Sequence, residues 1–242
     1  MRIVIVLPTY NERDNIQLLI DALQNQFYSI PHDMNILVVD DNSPDGTADA
    51  VRKVMMRYPN LYLITGKREG LGAAYIRGMN YALNTLEAEV LMQMDADFSH
   101  KVEDVPRLIA ALEEGADFVI GSRYVKGGKI PENWGFLRVM ISRWGNRCAR
   151  YLAGLNPIRD CTAGFRVIRA SLLRKLPLNA LNVQGYGFFV VFLSHAVRNQ
   201  AIVKEVPVEF VDRVRGVSKL GFRDILEFGM NIWRITLSRV GR

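Results

Sequence analysis

The chain has 242 residues, 49% of them hydrophobic and 23% charged, which is the size and composition of one folded domain with at most a short appendage. That composition excludes a disordered chain, and two cysteines exclude a disulfide framework. The formal net charge of +6 is unevenly distributed, because residues 1–122 carry 18 acidic and 10 basic side chains whereas residues 123–175 carry 2 and 12.

Short apolar segments alternate with amphipathic segments through the first 120 residues. Runs of aliphatic residues predict buried strands, and the segments between them place apolar residues at the spacing of a helix. This alternation predicts right-handed βαβ units around a mostly parallel central sheet with flanking helices. The predicted strands are residues 3–7, 35–39, 62–65, 90–94 and 118–120, and the predicted helices are residues 11–27, 47–57, 73–86 and 105–113.

Polar segments follow three of these strands at the point where each strand ends. They are Pro8-Thr9-Tyr10, Asp40-Asp41 and Asp95-Ala96-Asp97. Because parallel strands end at the same edge of a sheet, we expect the three segments to gather on one rim. Ligands of open α/β sheets bind beyond that rim.

The Asp95-Ala96-Asp97 segment carries the clearest chemical signal. Two carboxylates separated by one residue can share a divalent cation with a diphosphate, and the metal then stabilises negative charge on the leaving diphosphate. A solvated acidic turn is the alternative interpretation. For Asp40-Asp41, the alternatives are a carboxylate that binds a nucleotide and a helix-start turn in which Asp45 or Thr47 caps the next helix.

The second half of the chain is basic and carries two amphipathic segments. Residues 134–152 and 222–240 have helical apolar stripes, which either lie in a membrane interface or pack on the core. Residues 202–206 and 208–211 are predicted strands. Arginine binds phosphate as a bidentate fork, and the candidates are Arg123, Arg138, Arg143, Arg147, Arg166, Arg213 and Arg215, with Lys219.

Seven motifs occur in order along the chain and together resemble one enzyme family. They are PTYNE (8–12), VVDDNSPDGT (38–47), GLGAAYIRGM (70–79), MDADFSH (94–100), GSRY (121–124), TAGFR (162–166) and VDRVRGVSKLG (211–221). The set is similar to the dolichol-phosphate (polyprenol-phosphate) mannose synthases of the inverting glycosyltransferase family 2. The resemblance implies the GT-A fold, a Rossmann-like nucleotide-diphospho-sugar transferase fold, for residues 1–221. Residues 222–242 are then expected to form a C-terminal amphipathic helix that associates with a membrane.

The same resemblance implies the substrates and the site. The donor would be GDP-mannose, the acceptor a polyprenyl (dolichyl) monophosphate and the cofactor Mg²⁺ or Mn²⁺. Asp95, Asp97 and Arg123 would be catalytic, Asp97 and Ser99 would bind the metal, and Arg123, Arg138 and Ser218 would hold the acceptor phosphate. The donor would contact Pro8, Tyr10, Glu12, Val39, Asp41, Asp95, Ala96, Arg123, Arg213 and Lys219.

The sequence and the expected acceptor together predict the location of the protein in the cell. The sequence has neither a signal peptide nor an apolar run long enough to cross a bilayer. With a lipid-linked acceptor, we expect a cytoplasmic protein that is peripheral on the cytoplasmic face of a membrane. Without any recognisable nucleic-acid-binding motif, no nucleic acid partner is expected.

Four positions depart from the pattern of the family. Ala163 replaces a frequent Gly, and Ser99 replaces the Gln of some relatives. Phe189 and Val191 stand where Gln and Glu are common, which removes a carboxylate from the acceptor side. A phosphate monoester is already an anionic nucleophile near neutral pH, so it needs orientation and charge neutralisation more than a general base.

Several alternatives stay open at this point. The motifs do not choose the sugar, so glucose or an N-acetylhexosamine is an alternative to mannose. A nucleotidyltransferase would also use sugar nucleotides, although its usual Gly-rich basic loop after the first strand is absent. A catalytically impaired relative that binds a nucleotide or a lipid phosphate is favoured only by Phe189 and Val191.

Overall fold

A computed structural model describes residues 1–131, 133–181 and 187–212, except for the side chain of Leu137. The strands are β1 (Arg2–Thr9), β2 (Asp33–Asp40), β3 (Leu61–Thr65), β4 (Val90–Gln93), β5 (Phe118–Ser122), β6 (Arg166–Arg169) and β7 (Val203–Pro207). The helices are α1 (Arg13–Phe27), α2 (Thr47–Met55), α3 (Leu71–Asn84), α4 (Val105–Glu113), α5 (Phe136–Leu152), α6 (Ala170–Leu173) and α7 (Gly187–Arg198).

The seven strands form one sheet in the order β3-β2-β1-β4-β6-β5-β7. β1 pairs in parallel with β2 and β4, β2 with β3, and β5 with β7. Only the short β6 runs against both of its neighbours, β4 and β5. The predicted α/β class with a mostly parallel central sheet is therefore confirmed.

Both faces of the sheet are covered by helices. Alternate residues of β1 point to opposite faces: Val4 and Val6 pack with α3 and α7, whereas Ile3, Ile5 and Leu7 pack with α1 and α4. Strands that are buried on both faces contain almost only aliphatic residues, which is why the sequence presents them as continuous apolar runs.

Three elements of the second half, β6, the four-residue α6 and α7, were not predicted, and one prediction was wrong. β6 was missed because its four residues, RVIR, begin and end with arginine. α7 was missed although the aromatic residues of its first turns have helical spacing. Residues 208–211 do not form a strand, since Glu209 and Phe210 make only isolated bridges.

Gly78 is the point of closest approach between α3 and the sheet. A Cβ atom at this position would lie 2.6 Å from Cγ1 of Val6 and 2.8 Å from Cγ2 of Val39. These distances are shorter than any ordinary carbon contact, so only glycine lets the helix sit this close to β1 and β2.

We expect Gly78→Ala to destabilise the protein. Overpacking costs about 1–3 kcal/mol, and the gain in helix propensity of about 1 kcal/mol offsets only part of it. Urea unfolding should show the loss. Combining the change with Val6→Ala should cost less than the sum of the two single changes, because the shorter side chain makes room; strictly additive costs would contradict a direct contact.

Candidate active site

The predicted rim is present at the carboxyl ends of β1, β2 and β4. Thr9 is the register partner of Asp40 at the ends of β1 and β2, and Val6 is the partner of Gln93 at the end of β4. The side-chain hydroxyl of Thr9 donates a hydrogen bond of 2.9 Å to Asp40, and the backbone N–H of Asp41 donates one of 3.0 Å to the carbonyl of Thr9. The first two polar segments are thus joined directly.

The adjacent carboxylates of Asp40 and Asp41 have different surroundings. Asp40 accepts hydrogen bonds from Thr9 and from both the N–H and the hydroxyl of Ser43, at 2.9 and 2.6 Å, so it fixes the rim. At the start of α2 the N-cap is Gly46 rather than Asp45 or Thr47, and the carboxylate of Asp45 accepts the backbone N–H of Thr47 at 2.9 Å. Neither interaction involves Asp41, which leaves its side chain for another role.

Asp41 is buried beside Arg77, which sequence reasoning missed. The guanidinium of Arg77 donates to Oδ1 of Asp41 at 2.5 Å. Burial raises the pKa of the Asp41 carboxyl, and the positive charge of Arg77 opposes that rise. The ring of Tyr10 is covered by the guanidinium of Arg68 at 3.8 Å from its centroid. Arg77 of α3 and Arg68 of the preceding loop therefore lie next to Asp41 and Tyr10, two of the residues that are predicted to contact the sugar-nucleotide donor.

The other residues of this region that are predicted to contact the sugar-nucleotide donor lie on or next to the same rim. The backbone N–H of Glu12 donates to Thr47, and its carboxylate accepts from Asn15. Pro8 lies in β1 opposite Val39 of β2. The side chain of Val39 is fully buried against α3, so only its backbone is available to a ligand.

The Asp95-Ala96-Asp97 segment forms a tight turn after β4. Phe98 has a φ of +63°, in the left-handed region. The buried carboxylate of Asp97 accepts the backbone N–H of Ser99 at 3.0 Å and also a short hydrogen bond from the Ser99 hydroxyl. Asp97 and Ser99 thus present adjacent oxygen atoms, while the side chain of Ala96 is buried in the core.

Asp95 is more accessible than Asp97 and is contacted from two sides. The hydroxyl of Tyr75 donates to Oδ1 at 3.3 Å, and Nε2 of His100 lies 3.3 Å from Oδ2. His100 is buried and stacks on Phe165 with ring centroids 4.9 Å apart. Sequence reasoning missed Tyr75 and His100, although both occur inside the motifs.

The turn suits a divalent cation that is shared with a ligand. In the described part of the chain, no three His, Cys, Asp or Glu side chains come together as a complete metal site. Asp95, Asp97 and Ser99 offer only oxygen atoms, the donor type that Mg²⁺ prefers, and Mg²⁺ commonly takes its remaining ligands from phosphate and water. The residues therefore fit a metal that arrives with a diphosphate.

Arg123 follows β5 and is held by a buried carboxylate. Its Nε and one terminal nitrogen donate to the two oxygens of Asp160, both at 2.8 Å, and the same terminal nitrogen donates to Thr162 at 2.9 Å. Burial works against charge on both partners. Even so, Arg123 lowers the pKa of Asp160, and Asp160 raises the pKa of Arg123. Sequence reasoning predicted Arg123 and missed Asp160.

Further contacts hold the Asp160 segment in place. Glu205 of β7 accepts the backbone N–H of Asp160 at 2.9 Å, and the side chain of Asn146 accepts the N–H of Cys161 at 2.8 Å. Arg166 is fully buried and donates to the carbonyls of Cys161 and Phe189, and burial lowers its pKa to about 9. This predicted phosphate ligand therefore serves the packing instead.

Two positions that depart from the family pattern differ in their distance from the site. Phe189 is buried next to Gly164, where an added Cβ would lie 3.2 Å from the ring and 3.6 Å from the Asp95 carboxylate. Val191 packs against the core on the same side of the sheet. An aromatic ring thus borders the carboxylate turn at the position where the family resemblance leads us to expect a polar side chain.

α5 presents an apolar and basic surface. Phe136, Met140, Trp144 and Tyr151 recur at four- and seven-residue spacing and are exposed, Phe136 by 81% and Trp144 by 59%. Arg138, a predicted phosphate ligand, is exposed on the same helix. Its Cζ lies 4.1 Å from the ring centroid of Trp134, and its Nη1 lies 3.6 Å from Oδ1 of Asp212. Within the described ranges no helix is long and apolar enough to cross a bilayer.

Several predicted residues lie outside the described part of the chain. These are Arg213, Arg215, Ser218 and Lys219, together with the expected amphipathic helix and the domain boundary at residue 221. Their roles stay predictions.

The sequence profile of glycosyl transferase family 2 matches residues 4–177. The chain belongs to that family. It is 39% identical over 228 residues to the polyprenol monophosphomannose synthase of Mycolicibacterium smegmatis, covering 93% of this chain and 83% of the relative. It is 40% identical over 235 residues to the undecaprenyl-phosphate mannosyltransferase of Micrococcus luteus, covering 97% and 93%. The resemblance found in the motifs is thereby confirmed, and this family 2 member is a glycosyltransferase.

Solved structures agree on the fold of this glycosyltransferase. Glucosyl-3-phosphoglycerate synthase from Mycobacterium tuberculosis, in complex with Mn²⁺, UDP-glucose and phosphoglyceric acid, aligns with a TM-score of 0.69 over 99% of this chain and 80% of that one, at 20% identity. Mannosyl-3-phosphoglycerate synthase from Rubrobacter xylanophilus aligns with a TM-score of 0.67 over 99% and 74%, at 19% identity. The expected GT-A fold is confirmed.

We expect Asp160→Asn to destabilise the protein by about 3–5 kcal/mol, because it leaves the buried guanidinium of Arg123 without its counter-charge. The pKa of Asp160 is lowered in the folded state, so the stabilisation is complete above the ordinary aspartate pKa of about 3.9 and is lost as the pH falls below it. The difference between the two proteins in denaturant unfolding should therefore shrink on acidification. A difference that is independent of pH would contradict the ion pair.

Proposed function

We propose that this glycosyltransferase moves a mannosyl group from GDP-mannose to a polyprenyl monophosphate. The observation that carries the proposal is the pairing of opposite charges around one rim, with the carboxylates of Asp95 and Asp97 after β4 and the guanidinium of Arg123 after β5. The substrates come from the relatives, which are named for mannosyl transfer and for polyprenol or undecaprenyl phosphate. Their high coverage of both chains supports a shared reaction.

The reaction is a single in-line displacement at the anomeric carbon. A phosphate oxygen of the acceptor forms the new bond to this carbon with its own electron pair. The bond to the diphosphate breaks on the opposite face, the configuration inverts, and GDP leaves with the bonding electrons. The nucleophile is already anionic, so the site needs cations and orientation more than a proton acceptor. That requirement is compatible with Phe189 and Val191.

The residues of the chain have separate tasks in this scheme. Asp97 and Ser99 would hold Mg²⁺ or Mn²⁺, with Asp95 facing the diphosphate, and the metal would supply positive charge to the leaving group. Arg123 is fixed by Asp160 through Nε and one terminal nitrogen, and no described residue bonds to the other terminal nitrogen, Nη1. That nitrogen is available to a phosphate.

A lipid-linked acceptor requires the site to work at a membrane surface. The exposed apolar residues of α5 lie beside Arg143 and Arg147, which are also exposed. A helix with aromatic residues on one face and arginines beside it binds the interface of an anionic bilayer. We propose that α5 is a membrane-binding surface of this peripheral enzyme.

Asp97→Ala should lower metal-dependent transfer by on the order of a hundredfold or more, because it removes a proposed metal ligand next to the leaving group. The assay combines purified protein, radiolabelled GDP-mannose, a short polyprenyl phosphate and Mg²⁺ or Mn²⁺, and it measures label in the organic phase. EDTA should abolish the signal of the wild type.

Asp49→Ala, which removes an exposed carboxylate of α2, is the matched control and should transfer normally. Unchanged turnover of Asp97→Ala would overturn the metal assignment. If the wild type bound GDP-mannose without producing organic-phase label, the acceptor or the catalytic function would be wrong. A wild type that failed to bind GDP-mannose would overturn the donor assignment.

Replacing both Phe136 and Trp144 by Ala should weaken binding to anionic liposomes by roughly tenfold or more, since each large apolar side chain contributes about 1.5–3 kcal/mol when buried. Sedimentation with phosphatidylglycerol vesicles measures the bound fraction. Replacing Leu18 and Met56, which are also exposed but lie on α1 and just after α2, should leave binding unchanged. Equal losses in the two double variants would contradict a specific role of α5.

A further inference from the structure

Arg77 has no assigned role, yet it touches the least explained carboxylate of the rim. It lies on α3, and its terminal nitrogens donate to Oδ1 of Asp41 at 2.5 Å and to the carbonyl of Lys67 at 3.4 Å. Among the described residues, no other side chain forms a hydrogen bond with the Asp41 carboxylate. Arg77 therefore connects α3 with the carboxyl end of β2.

The chain makes room for this guanidinium with a glycine. A Cβ atom on Gly66 would lie 2.6 Å from Cζ of Arg77 and 2.8 Å from Nε. The φ of Gly66 is not positive, so its backbone conformation is open to any residue. The three nearest atoms to such a Cβ all belong to the Arg77 guanidinium, the far end of a flexible side chain, so a side chain at position 66 would displace the guanidinium rather than the backbone.

The charges around Asp41 come from three places. Arg77 faces it from α3, Arg68 from the loop after β3, and Asp40, the last residue of β2, directly precedes it. Burial raises the pKa of Asp41 and Asp40 adds to the rise, whereas Arg77 and Arg68 lower it. Loss of Arg77 would raise the pKa further and favour the neutral acid.

We propose that Arg77 is a positioning residue that holds the Asp41 carboxylate in place as the hydrogen-bond acceptor for the nucleobase of the donor, and thereby sets base selection. The inference rests on the proposed function, which places a sugar nucleotide at this rim. Arg77 acts through Asp41 and need not touch the donor.

The chemistry of the base follows from the charge of the acceptor. A carboxylate favours a base whose ring nitrogen carries a hydrogen and penalises one with a bare ring nitrogen, because two acceptors then face each other. Guanine offers a ring N–H and an amino group side by side, and hypoxanthine offers the ring N–H alone. Adenine presents a bare ring nitrogen. The pocket should therefore prefer GDP to IDP, and IDP to ADP.

Calorimetric titration of the full chain with GDP, IDP, UDP and ADP tests the proposal. Arg77→Met should lower the affinity for GDP by about tenfold or more, which is the usual loss when a charged hydrogen-bond acceptor is disturbed. The affinity for ADP should change little. The preference for GDP over ADP should collapse. The turnover number at saturating GDP-mannose should stay within about twofold, so that the loss appears in KM.

Acidity provides a second readout. A neutral Asp41 no longer acts as an anionic acceptor, so GDP affinity should fall with decreasing pH, and in Arg77→Met it should fall at a higher pH than in the wild type. Arg77→Lys keeps the positive charge and should recover most of the wild-type pH profile. A residue with a merely structural role would shift no such profile.

Two further variants complete the design. Gly66→Ala displaces Arg77 without removing its charge and should change base selection in the same direction. Arg52→Met removes an exposed arginine that pairs with Asp49 on α2 and should change nothing.

Each outcome distinguishes the inference from the proposed function. Equal weakening of GDP and ADP in Arg77→Met would overturn the proposed selection, and unchanged GDP affinity would overturn any role of Arg77 in donor binding. The wild type could instead bind UDP more tightly than GDP, and Arg77→Met could lose the preference for UDP over ADP. In that case GDP-mannose would be the wrong donor, while the role of Arg77 would stand. If the wild type bound no nucleoside diphosphate, both would fail.

Discussion

The buried ion pair between Arg123 and Asp160 is the interaction on which the second half of the site depends. A buried charge is tolerated only with a partner and with further hydrogen bonds, and this pair has both. Arg123 comes from the end of β5 and Asp160 from the segment before β6. The backbone N–H groups of that segment donate to the side chains of Asn146 of α5 and Glu205 of β7. One electrostatic contact thus fixes the positions of several elements.

The position of β6 explains how the two halves of the chain form one site. β6 lies between β4, which carries the carboxylate turn, and β5, which carries Arg123. Because β6 is antiparallel to both, the chain segment before it arrives at the rim where β4 and β5 end. Asp160 and Gly164 therefore lie beside Arg123 and Asp95, although they come about 40 to 70 residues later.

The sequence was most informative where the fold is regular. Five strands, four helices and the rim of polar turns follow from hydrophobic periodicity and from the common direction of parallel strands. β6 escaped prediction because an antiparallel insertion of four residues has no periodicity to detect, and its terminal arginines made it look polar. α7 escaped because a helix that is apolar on all sides lacks the alternation that identifies surface helices.

The site was predicted only in part for a related reason. Asp95, Asp97 and Arg123 stand at strand ends and inside recognisable motifs, so their neighbourhood could be inferred. Asp160 and Arg77 act through contacts between residues 36 or more positions apart in the chain, and no local pattern marks them. Residues that hold a functional side chain in place are visible only when the packing around them is known.

The basic excess of residues 123–175 divides into an internal and an external part. Three arginines, Arg166, Arg169 and Arg174, donate hydrogen bonds to backbone carbonyls. The carbonyls that accept from Arg169 and Arg174 lie at or near the ends of α4 and α3, where carbonyl groups have no partner within the helix. Arg166 and Arg169 thus stabilise the interior of the fold, whereas Arg174 is also exposed. Arg143 and Arg147 are exposed on α5 beside aromatic side chains. Part of the exposed positive charge of this segment therefore lies on the surface of α5 that we propose to bind an anionic membrane.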